Sequence, residues 1–177
     1  MATATEQLQG TYVLDPIHSS ASFAVKHMVV STFRGRFENF DATLTDGKLV
    51  GTVDVGSIVV KDENLAAHLQ SPEFFDAERH PELRFESTDI RPTGDGDEVV
   101  VDGELTIKGI TKAVEARGTL EGPAVTFGDV NKLGLTLEAI IDRTEFGLNW
   151  NAPLPKGGFA LANDVKLIVE LELAEQA

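Results

Sequence analysis

The side chains best suited to chemistry near neutral pH are four histidines, at positions 18, 27, 68 and 80, because imidazole both binds metals and exchanges protons in that range. Their spacings match no strong zinc pattern. His18 and His27 would converge if the strand between them doubled back, and a metal or a general base could then be assembled there. The plainer reading is a hydrogen-bonded structural imidazole at each place. Lys112, Arg143 and Glu145 lie at turns or strand ends, where they either form a structural ion pair or meet the polar head of a ligand. Carboxylates are numerous but fall mostly on the solvent-facing parity of strands, so no paired general acid and base stands out. There is no cysteine, which removes disulfides, thiolate metal sites, thiol catalysis and lipidation of an N-terminal Cys. A Gly-Xaa-Ser-Xaa-Gly elbow, a P-loop, a Gly-Xaa-Gly-Xaa-Xaa-Gly fingerprint and a His-Glu-Xaa-Xaa-His helix are all missing. The usual enzyme signatures fail together. No catalytic residue, metal or cofactor is expected.

The elements that must position these groups are strands, because apolar residues recur with period two. Phe23 and Val25, with His27, share one side of a first run, and Phe33, Gly35 and Phe37 follow on the next. The phase then moves to Phe40, Ala42 and Leu44, which requires a bulge or kink near Glu38-Asn39. Asp46-Gly47 supplies a tight hairpin turn, and the return strand places Leu49, Val53 and Val55 inward. Asp62 is a suitable N-cap for a helix over 63–70, with Leu65 and Leu69 on one face. Ser71-Pro72 restarts a second short turn, with Ser71 as N-cap and Pro72 at its first position, carrying Phe74 and Phe75, and the two together could cap one end of a barrel. Further runs put Leu83 and Phe85, then Leu105 and Ile107, then Val114 and Ala116 on one face. A turn is expected at Glu121-Gly122-Pro123, after which come Leu133, Leu135 and Leu137, and finally Val165 to Leu173. About eight strands on short turns, without βαβ alternation, predict an all-β antiparallel barrel with a short helical insertion after the early strands. Residues 1–10 read as a disordered tail and 11–174 as a single barrel domain. Residues 149–158 read as a loop that could serve as an entrance flap.

Composition narrows the partners. A formal charge of −14 opposes any phosphate backbone, so nucleic acid is not an expected partner. It also disfavours docking on anionic membranes. No stretch approaches the ~18 apolar residues of a spanning helix, so stable membrane insertion is not expected. The N-terminus lacks the basic and apolar regions of a signal peptide, which predicts cytoplasmic residence. An exposed barrel edge or the 149–158 loop could support a homodimer. Ten Phe stand against one Trp and one Tyr; these rings have no polar end to satisfy, and a dry cavity or an ordinary core accommodates them equally.

Particular residues resemble the YceI-like family. Tyr12, Asp15-Pro16, His18-Ser19, Phe23, Val25 and His27 look like its opening signature, followed by Gly35, Phe37 and Phe40. His68-Leu69, Ser71, Phe74-Phe75-Asp76, Pro81 and Phe85-Glu86-Ser87-Thr88 stand in the family's order. The block from Gly103 to Lys112 is similar to its most recognisable segment. Arg143-Thr144-Glu145-Phe146-Gly147 resembles an Arg-Xaa-Asp-Phe-Gly motif, with Glu145 in place of Asp.

The resemblance spans residues 11 to 173 and implies a lipocalin-like barrel with an elongated internal cavity. Such a cavity takes a polyisoprenoid, an isoprenoid quinone, or a fatty acid or amide, without catalysis. The candidate ligand-binding residues are Phe23, Val25, His27, Phe37, Val53, Phe74, Phe85, Leu105, Leu135, Leu137, Phe146, Trp150 and Arg143. Two alternatives stay open: a His-dependent, metal-assisted enzyme in the same barrel, and a filled barrel acting as a protein-interaction module. Alternation cannot separate a filled from a hollow interior, since both need the same inward pattern.

Overall fold

The computed structural model describes residues 8–176. Their strands are β1 (Thr11–Leu14), β2 (Ser20–His27), β3 (Ser31–Phe37), β4 (Phe40–Thr45), β5 (Lys48–Asp54) and β6 (Ile58–Val59), then β7 (Glu82–Pro92), β8 (Glu98–Ile107), β9 (Ile110–Val125), β10 (Asn131–Asp142) and β11 (Leu161–Glu175). One helix, α1 (Glu63–Gln70), lies between β6 and β7. The pairing is antiparallel throughout and closes on itself through β1 and β11.

The chain forms a closed antiparallel barrel of eight staves, because three staves are each interrupted once. β1 and β2 run end to end along β11, with Leu14 opposite Leu173 and Ser20 opposite Glu170. β3 and β4 likewise run along β2 and β1, and β5 and β6 along β4 and β3. The first interruption follows from Pro16, which cannot donate to a ladder, and from Asp15, whose Oδ1 accepts from Ile17 N at 3.0 Å. The second is the kink expected at Glu38-Asn39. The third is a 3-10 turn at Val55–Ser57 capped by Asp54. The last two are bonded together: Glu38 N donates to Ser57 O at 3.1 Å, and Asp54 N donates to Asn39 O at 2.9 Å. Interrupting neighbouring staves at one level lets them bend as a unit, which a narrow barrel requires.

The Asp46-Gly47 hairpin forms as its residues demand, with φ of 46° and 83° between the facing residues Thr45 and Lys48. Two local expectations are corrected. The short turn expected at Ser71-Pro72 forms, with Phe74 N donating to Ser71 O at 3.0 Å, but Ser71 does not cap it with its side chain, because its hydroxyl donates to His68 O at 2.6 Å and closes α1. Glu121-Gly122-Pro123 does not reverse the chain, since β9 continues through it to Val125 and absorbs the irregularity as a register shift opposite Lys132 and Gly134. The disordered tail is expected over residues 1–10. Residues 1–7 lie outside the described residues, whereas Leu8 is 1% exposed and Gly10 N donates to Asp46 Oδ1 at 2.8 Å.

The interior divides along the barrel axis. One half is packed with aliphatic side chains, among them Leu44, Leu49, Val101, Leu133, Leu135 and Leu173. The other gathers Phe23, Phe37, Phe74 and Phe146 with Leu105 and Ile141. No helix among the described residues is long and apolar enough to cross a membrane.

Candidate functional site

The Phe-rich half is hollow. A cavity of about 420 Å³ opens beneath α1, and a second of about 160 Å³ continues toward the aliphatic half. Phe37, Leu83, Leu105 and Leu167 border both. The wholly filled barrel is therefore excluded for this half of the molecule.

Two glycines keep the lumen open. A Cβ at Gly35 would stand 2.5 Å from Phe23 Cζ, and one at Gly103 would stand 2.5 Å from Phe85 Cζ. Each ring thus lies flat on bare backbone of the neighbouring strand. Edge contacts hold Phe23 there, its centroid 5.9 Å from that of Phe33 and 6.5 Å from that of Phe75.

Of the expected site residues, Phe23, Val25, His27, Phe37, Phe74, Leu105, Arg143 and Trp150 border the larger cavity. Val53, Phe85 and Leu137 border the smaller one. Leu135 and Phe146 border neither. Leu135 has the inward parity but sits deep in the packed half, 1% exposed; strand alternation reports a face, not a height along the axis. Phe146 is a plug, for a reason that lies in the sheet. The β9–β10 ladder ends at Glu138 opposite Arg117, although β9 reaches back to Ile110 and β10 runs on to Asp142. The two strands splay, leaving an outer groove of about 580 Å³, and Phe146 fills its floor. Ile141 faces both groove and larger cavity, so the wall there is one side chain thick.

The cavity's lid was only partly legible. Leu65 and Leu69, four residues apart, turn one face of α1 into the lumen, and His68 joins them. Its ring meets Phe74 and Trp150 edge-on at 4.9 and 5.1 Å, while Nε2 lies 2.5 Å from Glu73 Oε2. Leu148, which borders the lumen just beyond the 3-10 turn at Arg143–Phe146, carried no signal of its own.

Arg143 is the exceptional group. Asp142 caps its 3-10 turn by accepting from Thr144 N at 2.9 Å, and Gly147 ends the turn with φ of 76°. This places Arg143, 3% exposed, against the cavity. Nε donates to Ala162 O at 2.9 Å, and Nη1 donates to Leu148 O at 2.5 Å and Trp150 O at 2.9 Å. Nη2 is enclosed and has no partner. Burial pushes the guanidinium pKa down, and Asp142 only partly opposes this. The Asp142 carboxylate is engaged by the Thr144 hydroxyl at 2.6 Å, which with the Thr144 N–H holds it below the usual carboxylate range. Lys112, Arg143 and Glu145 do not converge: Lys112 and Glu145 border the outer groove, and Arg143 borders the lumen.

His18 and His27 do not converge either. They stand at opposite ends of β2, roughly 25–30 Å apart by strand rise. His18 joins a cluster that sequence reading missed: its Nδ1 is 2.9 Å from Asp15 Oδ2 and 3.6 Å from Glu172 Oε2. The ligand atoms of these three residues lie within 4.8 Å of one another. Lys132 Nζ is already 3.0 Å from Glu172 and 3.8 Å from Asp15, so the group is an ion-pair network whose cation the chain supplies. The hydrogen bond from His18 holds Asp15 down at about 2, and Asp15 raises His18 in return.

Comparison with known proteins is consistent with this architecture. A model of the YceI-like domain matches residues 12–173. A UPF0312 protein of Staphylococcus aureus strain N315 is 31% identical over 174 residues, covering 92% of this chain and 96% of the relative. The crystal structure of a Campylobacter jejuni YCEI protein is similar at a TM-score of 0.71 and 24% identity, over 86% of this chain and 90% of that one. A polyisoprenoid-binding domain from Saccharophagus degradans, implicated in plant cell wall breakdown, is similar at a TM-score of 0.70 and 11% identity, over 93% and 98%.

Proposed function

The chain belongs to the YceI-like family, and from that premise we propose that it binds one long-chain apolar amphiphile in its hollow half and carries it without altering it. The observation that carries this reading is the 420 Å³ cavity walled by Phe, Leu, Val and Ile side chains and continued by the smaller one. Its volume lies within the range of about 300–1,000 Å³ common for small-molecule sites. At about 0.8 kcal/mol per buried methylene, about five methylenes offset the smallest association cost, about 4 kcal/mol. Tight binding therefore needs a chain considerably longer than that, which the continuation toward the aliphatic half accommodates. The polyisoprenoid-binding name of the Saccharophagus relative agrees with such a cargo.

Non-catalytic carriage is supported by the sparse polar lining. Arg143 is the single Lys or Arg among the lining residues of the larger cavity, and no Asp or Glu lines it. His27, His68, Ser31 and Thr32 also border it, and Glu73, the carboxylate that pairs with His68, is not among the lining residues.

The test is mass spectrometry of organic extracts from the purified protein, followed by titration with polyprenols and long-chain fatty acids. A lipid recovered unchanged in near-stoichiometric amount is the expected result. Absence of any co-purifying lipid, together with no binding of either added class, overturns the reading.

A further inference from the structure

We infer that the bound amphiphile carries a singly charged anionic oxygen head of the carboxylate type, held against Arg143 at the α1 end of the cavity, with its tail directed toward the aliphatic half. This rests on the carrier reading above and names the class of ligand within it.

The first ground is an unpaired charge. An arginine stays protonated in proteins, and burying it is costly unless a partner compensates. Exposed Arg36, Arg84, Arg91 and Arg117 each meet a carboxylate, whereas the buried Arg143 meets none among the described residues. Its three carbonyl partners occupy Nε and Nη1 and supply no formal charge. The two N–H bonds of Nη2 are left without an acceptor in an enclosed place, a deficit that buried polar groups rarely sustain.

The second ground is the charge of the whole lining. One cation and no carboxylate border the larger cavity, so a monoanion neutralises it and a diphosphate would remain in excess. A neutral alcohol or ester could satisfy an N–H but would leave the guanidinium unpaired. The overall charge of −14 therefore does not decide head-group chemistry, because the charge that meets the head is local and buried.

The third ground is polarity along the axis. Arg143, His27, Ser31, Thr32 and His68 all border the larger cavity. Pairing places His27 opposite Ser31 and Leu161, next to Ala162, which accepts from Arg143. The polar groups are thus at one end. The neck beyond them is Phe37, Leu83, Leu105 and Leu167, which suits only hydrocarbon.

Trp150 is the chain's single tryptophan and borders the cavity, so its fluorescence reports occupancy directly. The experiment titrates delipidated protein with hexadecanoate, methyl hexadecanoate, hexadecan-1-ol and geranylgeranyl diphosphate. Hexadecanoate is expected to bind about tenfold or more tightly than the ester and the alcohol, in keeping with the strength of charge-assisted hydrogen bonds. Arg143→Gln should reduce hexadecanoate to the level of the alcohol, so that the ratio of the two affinities falls to about one. Arg143→Lys, which keeps the charge, should retain part of the preference and guards against a fold defect in the first variant. Equal affinity for acid and alcohol in the unaltered protein, a preference for the diphosphate, or a preference that survives Arg143→Gln overturns the inference and leaves the carrier reading standing. Failure of all four to bind overturns both.

Discussion

The two halves of this barrel share eight staves and one alternation pattern, yet one is packed over most of its extent and the other is hollow. In the packed half branched and small side chains from facing staves interdigitate, and Leu44, Leu133 and Leu173 are at most 1% exposed. In the hollow half rings replace them, and the rings packed against Gly35 and Gly103 border the cavities. The packed half closes its end with its own side chains, whereas the hollow half is roofed by α1 and by the aromatic contact of His68, Phe74 and Trp150. The difference teaches that a barrel need not be wide to hold a ligand. It needs large side chains that have somewhere to lie down.

If the packed half supplies stability and the hollow half supplies binding, truncations in the two should separate. The largest expected effect is from Leu133→Ala, which removes packed methyls with little room to collapse and should cost about 2–5 kcal/mol of unfolding free energy in urea. Ligand affinity of the folded fraction should stay unchanged. Val25→Ala, on the cavity wall, should cost less than Leu133→Ala, because its side chain already borders empty space; an equal cost would break the comparison.

A sharper test fills the lumen without truncating anything. Gly35→Ala forces the Phe23 ring off the wall and into the cavity, an overpacking expected to cost about 1–3 kcal/mol, and it should weaken binding of a long-chain ligand read by Trp150 fluorescence. Binding that is unaffected would show that the ring's resting place does not control the lumen. Phe146→Leu, which shortens the plug between the outer groove and the cavity, should speed ligand release measured by stopped-flow displacement more than it lowers affinity.

The smallest expected effect is electrostatic and belongs to the end of β2 remote from the lid. Asp15 has a folded pKa lowered from 3.8 to about 2, so its contribution is present above about pH 4 and fades as pH falls toward 2. His18 is raised above 6.5, so its contribution is complete below that pH and is lost as pH rises through the raised value. The melting temperature should therefore decline slightly on going from pH 6 to alkaline pH, and His18→Ala should flatten that decline. Affinity for a neutral long-chain alcohol should show neither dependence.

Much of the fold was legible because its signals are local. The Asp46-Gly47 hairpin, the kink at Glu38-Asn39 and the Asp62 cap each depend on backbone preferences of a few adjacent residues. The Leu65 and Leu69 spacing indicated one face of the lid for the same reason. Which candidate residues share a cavity was less legible. Leu135 and Leu137 are two residues apart on one face of β10, yet only Leu137 reaches the cavities.

The sequence by itself therefore determined the eight-stave antiparallel barrel, its inward face and its family, since alternation, turns and motif order are written along the chain. Tertiary structure alone decided where the interior is empty, that Phe146 plugs a splayed seam, and that Arg143 is buried without an ion pair among the described residues while Lys112 and Glu145 stay outside. The physical reason is that emptiness and unpaired charge are properties of a place where several strands meet. Alternation assigns each side chain to a face, but only closure of the barrel sets its height along the axis and the neighbours it meets there.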